Sequence, residues 1–103
     1  MAKFDRRRTI LEQAWIGDAV LSLYARSKIL RDDGRQDSAK LSRMTSNQFL
    51  GARMEPAATE AEIGRIYQAE GLNAAYAWIE QNLMPLYERQ EENRRQRAAG
   101  RRT

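Results

Sequence analysis

Apolar residues recur at steps of three and four along the first third of the chain, the spacing of one helix face. This stripe contains Ile10, Ala14, Gly17, Leu21 and Tyr24. A second apolar set flanks it and consists of Leu11, Trp15, Ala19 and Val20. Because the helix is apolar over a wide arc, we expect it to be buried against more than one neighbour. The pattern predicts a helix over residues 6–30 that stops at Asp32, Asp33 and Gly34.

Further helices are predicted between this stop and Pro85. One covers residues 38–53, and Ser46 and Asn47 in its middle favour a bend or a split, because short polar side chains compete for backbone hydrogen bonds. Pro56 marks the break that follows, since the residue before a proline is pushed out of the helical conformation. The remaining helices are predicted over residues 57–70 and from residue 73 to Pro85. We therefore predict an all-α fold, a compact bundle of about four to five helices.

Beyond Pro85 the chain loses its apolar periodicity and becomes strongly charged. Its basic residues there include Arg94, Arg95, Arg97, Arg101 and Arg102. The change predicts a helical domain over residues 6–86 and a basic, flexible tail over residues 87–103. The tail has two interpretations. It is either a solubilising end outside the domain or a flexible arm that gains phosphate contacts when a polyanion is near.

The composition supports a single helical domain and limits its chemistry. A chain of 103 residues has room for one domain, and Val20 is the only valine, so strand-forming residues are scarce. The sequence contains no cysteine and no histidine, which excludes disulfides, thiol chemistry, the usual zinc sites and imidazole catalysis. Any catalysis must therefore rest on carboxylates, with or without a hard metal ion.

Hydropathy and charge limit the kinds of partner that the sequence predicts. No apolar run approaches the ~20 residues that span a bilayer, and the opening MAKFDRRRT is charged with no apolar segment after it. We therefore expect a soluble, cytoplasmic protein without a membrane partner. The 18 Lys and Arg against 14 Asp and Glu give a net charge of +4, which favours a polyanion such as RNA or DNA. The alternative is a small basic protein that binds nothing specific.

Two carboxylates stand out against their surroundings. Asp18 lies in the middle of an apolar helix, where a buried charge requires a partner or a metal ion. Alternatively, an ion pair with an arginine such as Arg26, or simple exposure at a helix crossing, would explain the position of Asp18. Glu60 lies one turn before Gly64 on the same helix face, where a neighbouring helix, a metal ion or a phosphate could approach closely. Alternatively, Glu60 only complements the helix dipole. Glu62, two positions later, is expected to point away from the face that Glu60 shares with Gly64.

Three segments, in this order, resemble motifs of the ribonuclease III family. Residues 16–21, IGDAVL, resemble the LGDA-like string on a long helix of that family. Residues 45–50, TSNQFL, look like its VSN helix. Residues 60–75, EAEIGRIYQAEGLNAA, are similar to the family pattern EALIGAIYLDGGLEAA. The resemblance covers about residues 10–83, most of the predicted domain.

This resemblance implies a ribonuclease III-like endonuclease domain. Domains of this kind dimerise, bind double-stranded RNA in a valley across the dimer and hydrolyse phosphodiesters with magnesium. Asp18 and Glu60 match the two acidic positions that the family uses as metal ligands, and Mg²⁺ suits such hard oxygen donors. Trp15 matches an aromatic residue that packs across the dimer, although an intramolecular core position would also explain it.

The sequence also departs from the family pattern. Leu11, Ala14 and Ala57 stand where the full-length family has further acids, and the connection over residues 53–57 is far shorter. The compact branch called Mini-ribonuclease III is similar to this chain in lacking those acids. Two functions are therefore predicted: a magnesium-dependent endoribonuclease acting on double-stranded or structured RNA, or a catalytically degenerate RNA-binding or ribonucleoprotein-associated module. A helical dimer that binds only protein is a third hypothesis. Glu12 and Glu55 are spare acids, meaning acids that the sequence does not place in the site.

Overall fold

The computed structural model describes residues 2–52 and 54–101, with side chains over residues 6–52 and 54–100. Over these ranges every regular element is a helix, which confirms the predicted all-α fold. The helices are α1 (Ala2–Asp33), α2 (Ser38–Thr45), α3 (Asn47–Leu50), α4 (Pro56–Glu70), α5 (Leu72–Asn82) and α6 (Met84–Arg101). No helix in the described ranges is both long enough and apolar enough to span a membrane.

The helix ends follow the predicted stop and cap signals. Gly34 ends α1 with a backbone φ of +75°, and its N–H donates to the Leu30 carbonyl oxygen at 3.0 Å. The predicted split of the second helix is confirmed at Ser46, which leaves the helical conformation and accepts a hydrogen bond from the Phe49 N–H at 3.1 Å. The predicted end of that helix, Arg53, lies outside the described residues.

The core is formed mainly by the C-terminal half of α1 together with α4 and α5. Leu21, Ile63 and Ile79 are all at most 1% exposed. At its edge the rings of Tyr24 and Tyr76 pack edge to face with centroids 5.1 Å apart, and the Tyr24 hydroxyl donates to Glu80 at 3.2 Å. Helices α1 and α4 therefore form the centre of the bundle.

The C-terminal segment differs from the predicted irregular tail, because α6 continues as helix to Arg101. Pro85 does not prevent helix formation, because it lies in the first turn of α6, where a proline is tolerated. Tyr87 is 5% exposed and packs against Phe49 with ring centroids 5.9 Å apart. Packing therefore continues past the predicted boundary at residue 86 into α6. Arg102 lies outside the described residues.

The N-terminal half of α1 is much more exposed than its apolar pattern predicts. The protein measures 59 × 26 × 21 Å, and a helix of 32 residues alone extends ~48 Å. On this half, Leu11 is 57% exposed and Trp15 is 78% exposed. The expectation that α1 is buried on several sides is thus wrong for this half, and Trp15 is not an intramolecular core residue.

Candidate active site

Helices α1 and α4 cross with their backbones in contact at Gly17 and Gly64. A Cβ atom on Gly17 would lie 1.7 Å from the carbonyl oxygen of Glu60, and one on Gly64 would lie 1.9 Å from the carbonyl oxygen of Gln13. No side chain fits at such distances, so only glycine permits this approach at both positions. The two glycines that the sequence placed beside candidate acids therefore fix where the two helices meet.

The crossing brings the two candidate acids together. Asp18 follows Gly17 on α1, Glu60 lies one turn before Gly64 on α4, and their carboxyl groups are within hydrogen-bonding reach. Asp18 is exposed, which confirms the predicted alternative of simple exposure at a helix crossing, whereas Glu60 is half-buried. Arg26 donates to Ser22 and does not pair with Asp18, so the predicted alternative of an Asp18–Arg26 ion pair was wrong.

Glu60 has the most perturbed carboxyl group among the described residues. Four effects raise the pKa of Glu60 to about 7: burial first, then the hydrogen bond with Asp18, then the negative charge of Asp18, and last the charge of Glu55. Two neighbouring carboxylates cannot both ionise without repulsion, so the pair holds a proton near neutral pH or gains from a bound cation. Perturbed acids of this kind are a feature of functional sites.

The spare acids have structural roles. Glu55 caps α4 by accepting a hydrogen bond from the Ala58 N–H at 3.1 Å, although its charge still acts on Glu60. Glu12 forms an exposed ion pair with Arg8 at 3.3 Å on α1. The reach of Glu55 towards Glu60 was not predicted. Its signal is the adjacent Pro56, which begins α4 and therefore makes Glu55 the capping residue.

Glu62 points away from the site, as the helical spacing predicted. Its carboxylate pairs with Arg65 at 2.6 Å on the exposed side of α4. The contrast with Glu60, two residues earlier, follows from the ~100° rotation between successive helical residues. The acidic site thus contains Asp18 and Glu60, with the charge of Glu55 close by.

The pair provides a sparse set of metal ligands. Leu11, Ala14 and Ala57 offer no side-chain oxygen, and no group of three or more acidic, histidine or cysteine side chains in the described ranges is arranged to hold a metal ion. Mg²⁺ keeps several waters and is commonly bound by one or two carboxylates together with substrate phosphate. Asp18 and Glu60 would supply that minimal set of oxygen donors, and a bound cation would relieve their mutual repulsion.

Comparison of the chain with protein-family models, with curated proteins and with solved structures gave no match. The resemblance to the ribonuclease III family therefore stays a prediction drawn from the three motifs. The function has to be argued from the acidic pair, the exposed apolar half of α1 and the charge of the chain.

Proposed function

We propose that this protein is a magnesium-dependent endoribonuclease acting on double-stranded or structured RNA, in the manner of a minimal ribonuclease III-like domain. The observation that carries this proposal is the crossing of α1 and α4 at Gly17 and Gly64, which places Asp18 and Glu60 side by side. The motif resemblance implies that the same two residues are metal ligands. Their proximity supports that assignment because the two motifs are 42 positions apart in sequence, as the numbers 18 and 60 give.

The protein's own contribution to this chemistry is a pair of oxygen donors at a partly exposed position. Asp18 is open to solvent, which leaves room for a phosphodiester to approach, and the half-buried Glu60 is held in place by the rigid helix crossing. Deprotonated carboxylates are needed to hold a cation, so the raised pKa of Glu60 couples binding to pH. Bound Mg²⁺ would activate a water molecule and neutralise charge on the phosphate.

A homodimer is part of the proposal. Leu11 and Trp15 are strongly exposed apolar residues on the N-terminal half of α1, and with Arg7, Arg8 and Glu12 they form one open surface of this helix. An exposed apolar surface on one helix can pack against the same surface of a second copy across a two-fold axis. Two acidic pairs in one dimer would suit a substrate with two strands.

The overall charge supports an RNA partner. The net charge of +4 attracts a polyanion, and the solvent-exposed Arg6, Arg7 and Arg8 lie on the same half of α1 as Trp15. Binding that neutralises phosphates should weaken steeply as salt rises, whereas an apolar protein interface should not. Salt dependence thus separates RNA binding from the hypothesis of a helical dimer that binds only protein.

A second candidate function is a catalytically degenerate RNA-binding or ribonucleoprotein-associated module with the same fold. The observation in its favour is that Leu11, Ala14 and Ala57 supply no further acid to the site. This candidate needs the basic charge but not the carboxylate pair. Both candidates therefore predict salt-sensitive RNA binding and differ in whether the RNA is cut.

The test is cleavage of end-labelled double-stranded RNA with and without Mg²⁺ by four proteins: the wild type, Asp18→Asn, Glu60→Gln and Glu70→Gln. Glu70 is an exposed acid at the far end of α4 and forms no ion pair in the described ranges, so its variant is the matched control. We expect metal-dependent cleavage by the wild type and Glu70→Gln only. Salt-sensitive binding without cleavage would favour the degenerate module. If the wild type shows no cleavage and no salt-sensitive RNA binding, both candidates are contradicted.

A further inference from the structure

A polar groove runs between α3 and the middle of α6, built by elements that take no part in the α1–α4 crossing. It encloses about 160 Å³. Phe49 and Tyr87, both at most 5% exposed, line it together with Arg43, Arg94 and Arg97. Three guanidinium groups thus share one concave surface, and two of them, Arg94 and Arg97, belong to the segment that the sequence alone predicted to be a flexible tail.

The groove stays positively charged once its ion pairs are taken into account. Arg43 forms a two-pronged ion pair with Glu91, with N to O distances of 3.1 and 3.2 Å, so these two charges compensate each other. Arg94 and Arg97 form no ion pair within the described side chains. The groove therefore retains two uncompensated positive charges. Both are exposed and can reorient towards a ligand.

The spacing of the two arginines adds to this argument. Arg94 and Arg97 are three positions apart in α6, so they lie on the same helix face and repel each other in the free protein. Their neighbour Arg95 is compensated by Glu92, at 2.6 Å on another part of the helix surface. The repulsion in the groove would be relieved by an anion that both side chains contact.

Tyr87 provides an independent observation. Its hydroxyl oxygen is buried and has no hydrogen-bond partner in the described structure, which is uncommon because an unsatisfied buried polar group costs stability. Glu91 and Arg43 lie close enough to the hydroxyl to shift its pKa, Glu91 upwards and Arg43 downwards. Burial, followed by the charge of Glu91, raises the pKa of Tyr87 to about 12, so the hydroxyl keeps its proton and can donate to an anion.

We propose that this groove binds a phosphate group of the RNA backbone, as an anchor separate from the carboxylate pair. Arg94 and Arg97 supply the charge, and the guanidinium group suits phosphate because it offers parallel N–H donors. Tyr87 also lines the groove, and a phosphate oxygen that reached its hydroxyl would satisfy it. This inference rests on the proposed function, since it names RNA as the source of the phosphate.

The experiment measures binding of fluorescein-labelled double-stranded RNA by anisotropy over a range of salt concentrations, without Mg²⁺. The groove variant is Arg94→Gln with Arg97→Gln. The control is Arg35→Gln with Arg89→Gln, two exposed arginines outside the groove that remove the same total charge. We expect the groove variant to bind more weakly than the control, with a salt slope lower by about 1 for each phosphate that the variant no longer neutralises.

A Tyr87→Phe variant separates ligand binding from folding. Removing a buried hydroxyl that has no partner should leave the thermal unfolding temperature unchanged or slightly higher, whereas removing a hydrogen-bonded one would lower it. RNA affinity should nevertheless fall. A lower unfolding temperature with unchanged RNA affinity would overturn the role given to Tyr87.

The source of the phosphate is tested by NMR of the Arg94 and Arg97 side-chain N–H groups, titrated with RNA or with inorganic phosphate at matched ionic strength. Shifts with RNA at far lower concentrations than with phosphate support the inference. Shifts with inorganic phosphate alone would overturn it and assign the groove to a free anion. Equal RNA affinity of the groove and control variants would overturn the groove but leave the proposed function intact, whereas no RNA binding by the wild type would contradict both.

Discussion

The two halves of α1 differ although their sequences are similarly apolar. In the C-terminal half, Leu21, Ala25 and Ile29 are at most 2% exposed, whereas Leu11 and Trp15 in the N-terminal half are 57% and 78% exposed. The halves meet at Gly17, where the backbone of α4 touches α1. The same helical pattern is therefore buried in the core on one side of the crossing and exposed on the other. Asp18 lies at the boundary between them.

The largest effect is expected when the crossing itself is broken. Gly64→Ala places a methyl group within 1.9 Å of the Gln13 carbonyl oxygen, and no flexible side chain is able to move aside. Overpacking usually costs about 1–3 kcal/mol, and this contact between two backbones should cost more than about 3 kcal/mol. Urea unfolding of the variant measures the effect. The free energy of unfolding should fall, or the protein should fail to fold.

Gly100→Ala in α6 is the matched control. A Cβ atom there meets nothing within 4 Å, and alanine is a better helix former than glycine. This variant should have the same stability as the wild type or slightly more. A Gly64→Ala protein as stable as the control would mean that α1 and α4 do not approach each other at backbone distance.

The second prediction contrasts one leucine from each half of α1. Leu21→Ala removes a side chain that is 1% exposed and should lower the free energy of unfolding by about 3 kcal/mol, because it leaves a cavity in the core. Leu11→Ala removes one that is 57% exposed and should change it by less than about 0.5 kcal/mol under conditions where the protein is monomeric. Equal changes in denaturant unfolding would contradict the distinction between the halves.

The comparison also separates what the sequence could predict from what it could not. The helices, the split at Ser46 and the stop at Gly34 were predictable because capping and helix propensity act over a few neighbouring residues. Periodicity shows that a face is apolar but does not show what covers it. The pattern was therefore compatible with either a buried or an exposed Trp15, and it overestimated the burial of α1.

The residues of the candidate site could be predicted from the sequence, but their environment could not. The motif resemblance paired Asp18 with Glu60, and Gly64 was expected to allow a close approach, so the proximity of the two acids could be anticipated; the backbone contact at Gly17 could not. The exposure of Asp18, the nearby charge of Glu55 and the groove on α6 depend on side-chain packing between distant segments. The packing of Tyr87 on Phe49 spans 38 positions, from residue 49 to residue 87, which no local pattern reveals.

The third prediction uses the exposed half of α1 to test the proposed dimer. Trp15→Ala should weaken self-association by about 2 kcal/mol, roughly a thirtyfold increase in Kd, because a central interface Trp commonly contributes that much. The monomer should remain folded. Analytical ultracentrifugation of this variant, of the wild type and of Leu72→Ala, an exposed leucine on α5, measures the effect. A wild type that stays monomeric at high concentration would exclude the dimer.

The smallest expected effect concerns the boundary between the halves and depends on pH. The pKa of Glu60 is about 7 in the folded protein against an ordinary value of 4.5. Protonated Glu60 therefore favours the folded state: this stability is fully present below about pH 4.5 and is lost as pH rises through 7. Because Glu60 is only half-buried, solvent screening reduces the loss to about 1–2 kcal/mol.

Urea unfolding of the wild type and Glu60→Gln at about pH 5 and about pH 8 tests this, with Glu70→Gln as the control. Glu60→Gln removes the titrating group, so it should lose less stability than the wild type between the two pH values, while Glu70→Gln should follow the wild type. Mg²⁺ should restore stability to the wild type at the higher pH, because the cation binds the form that repels itself, and a concentration tenfold above its Kd would add about 1.4 kcal/mol. Identical pH dependence of all three proteins would mean that Asp18 and Glu60 do not interact. A Mg²⁺ effect that persists in Glu60→Gln would place the cation elsewhere.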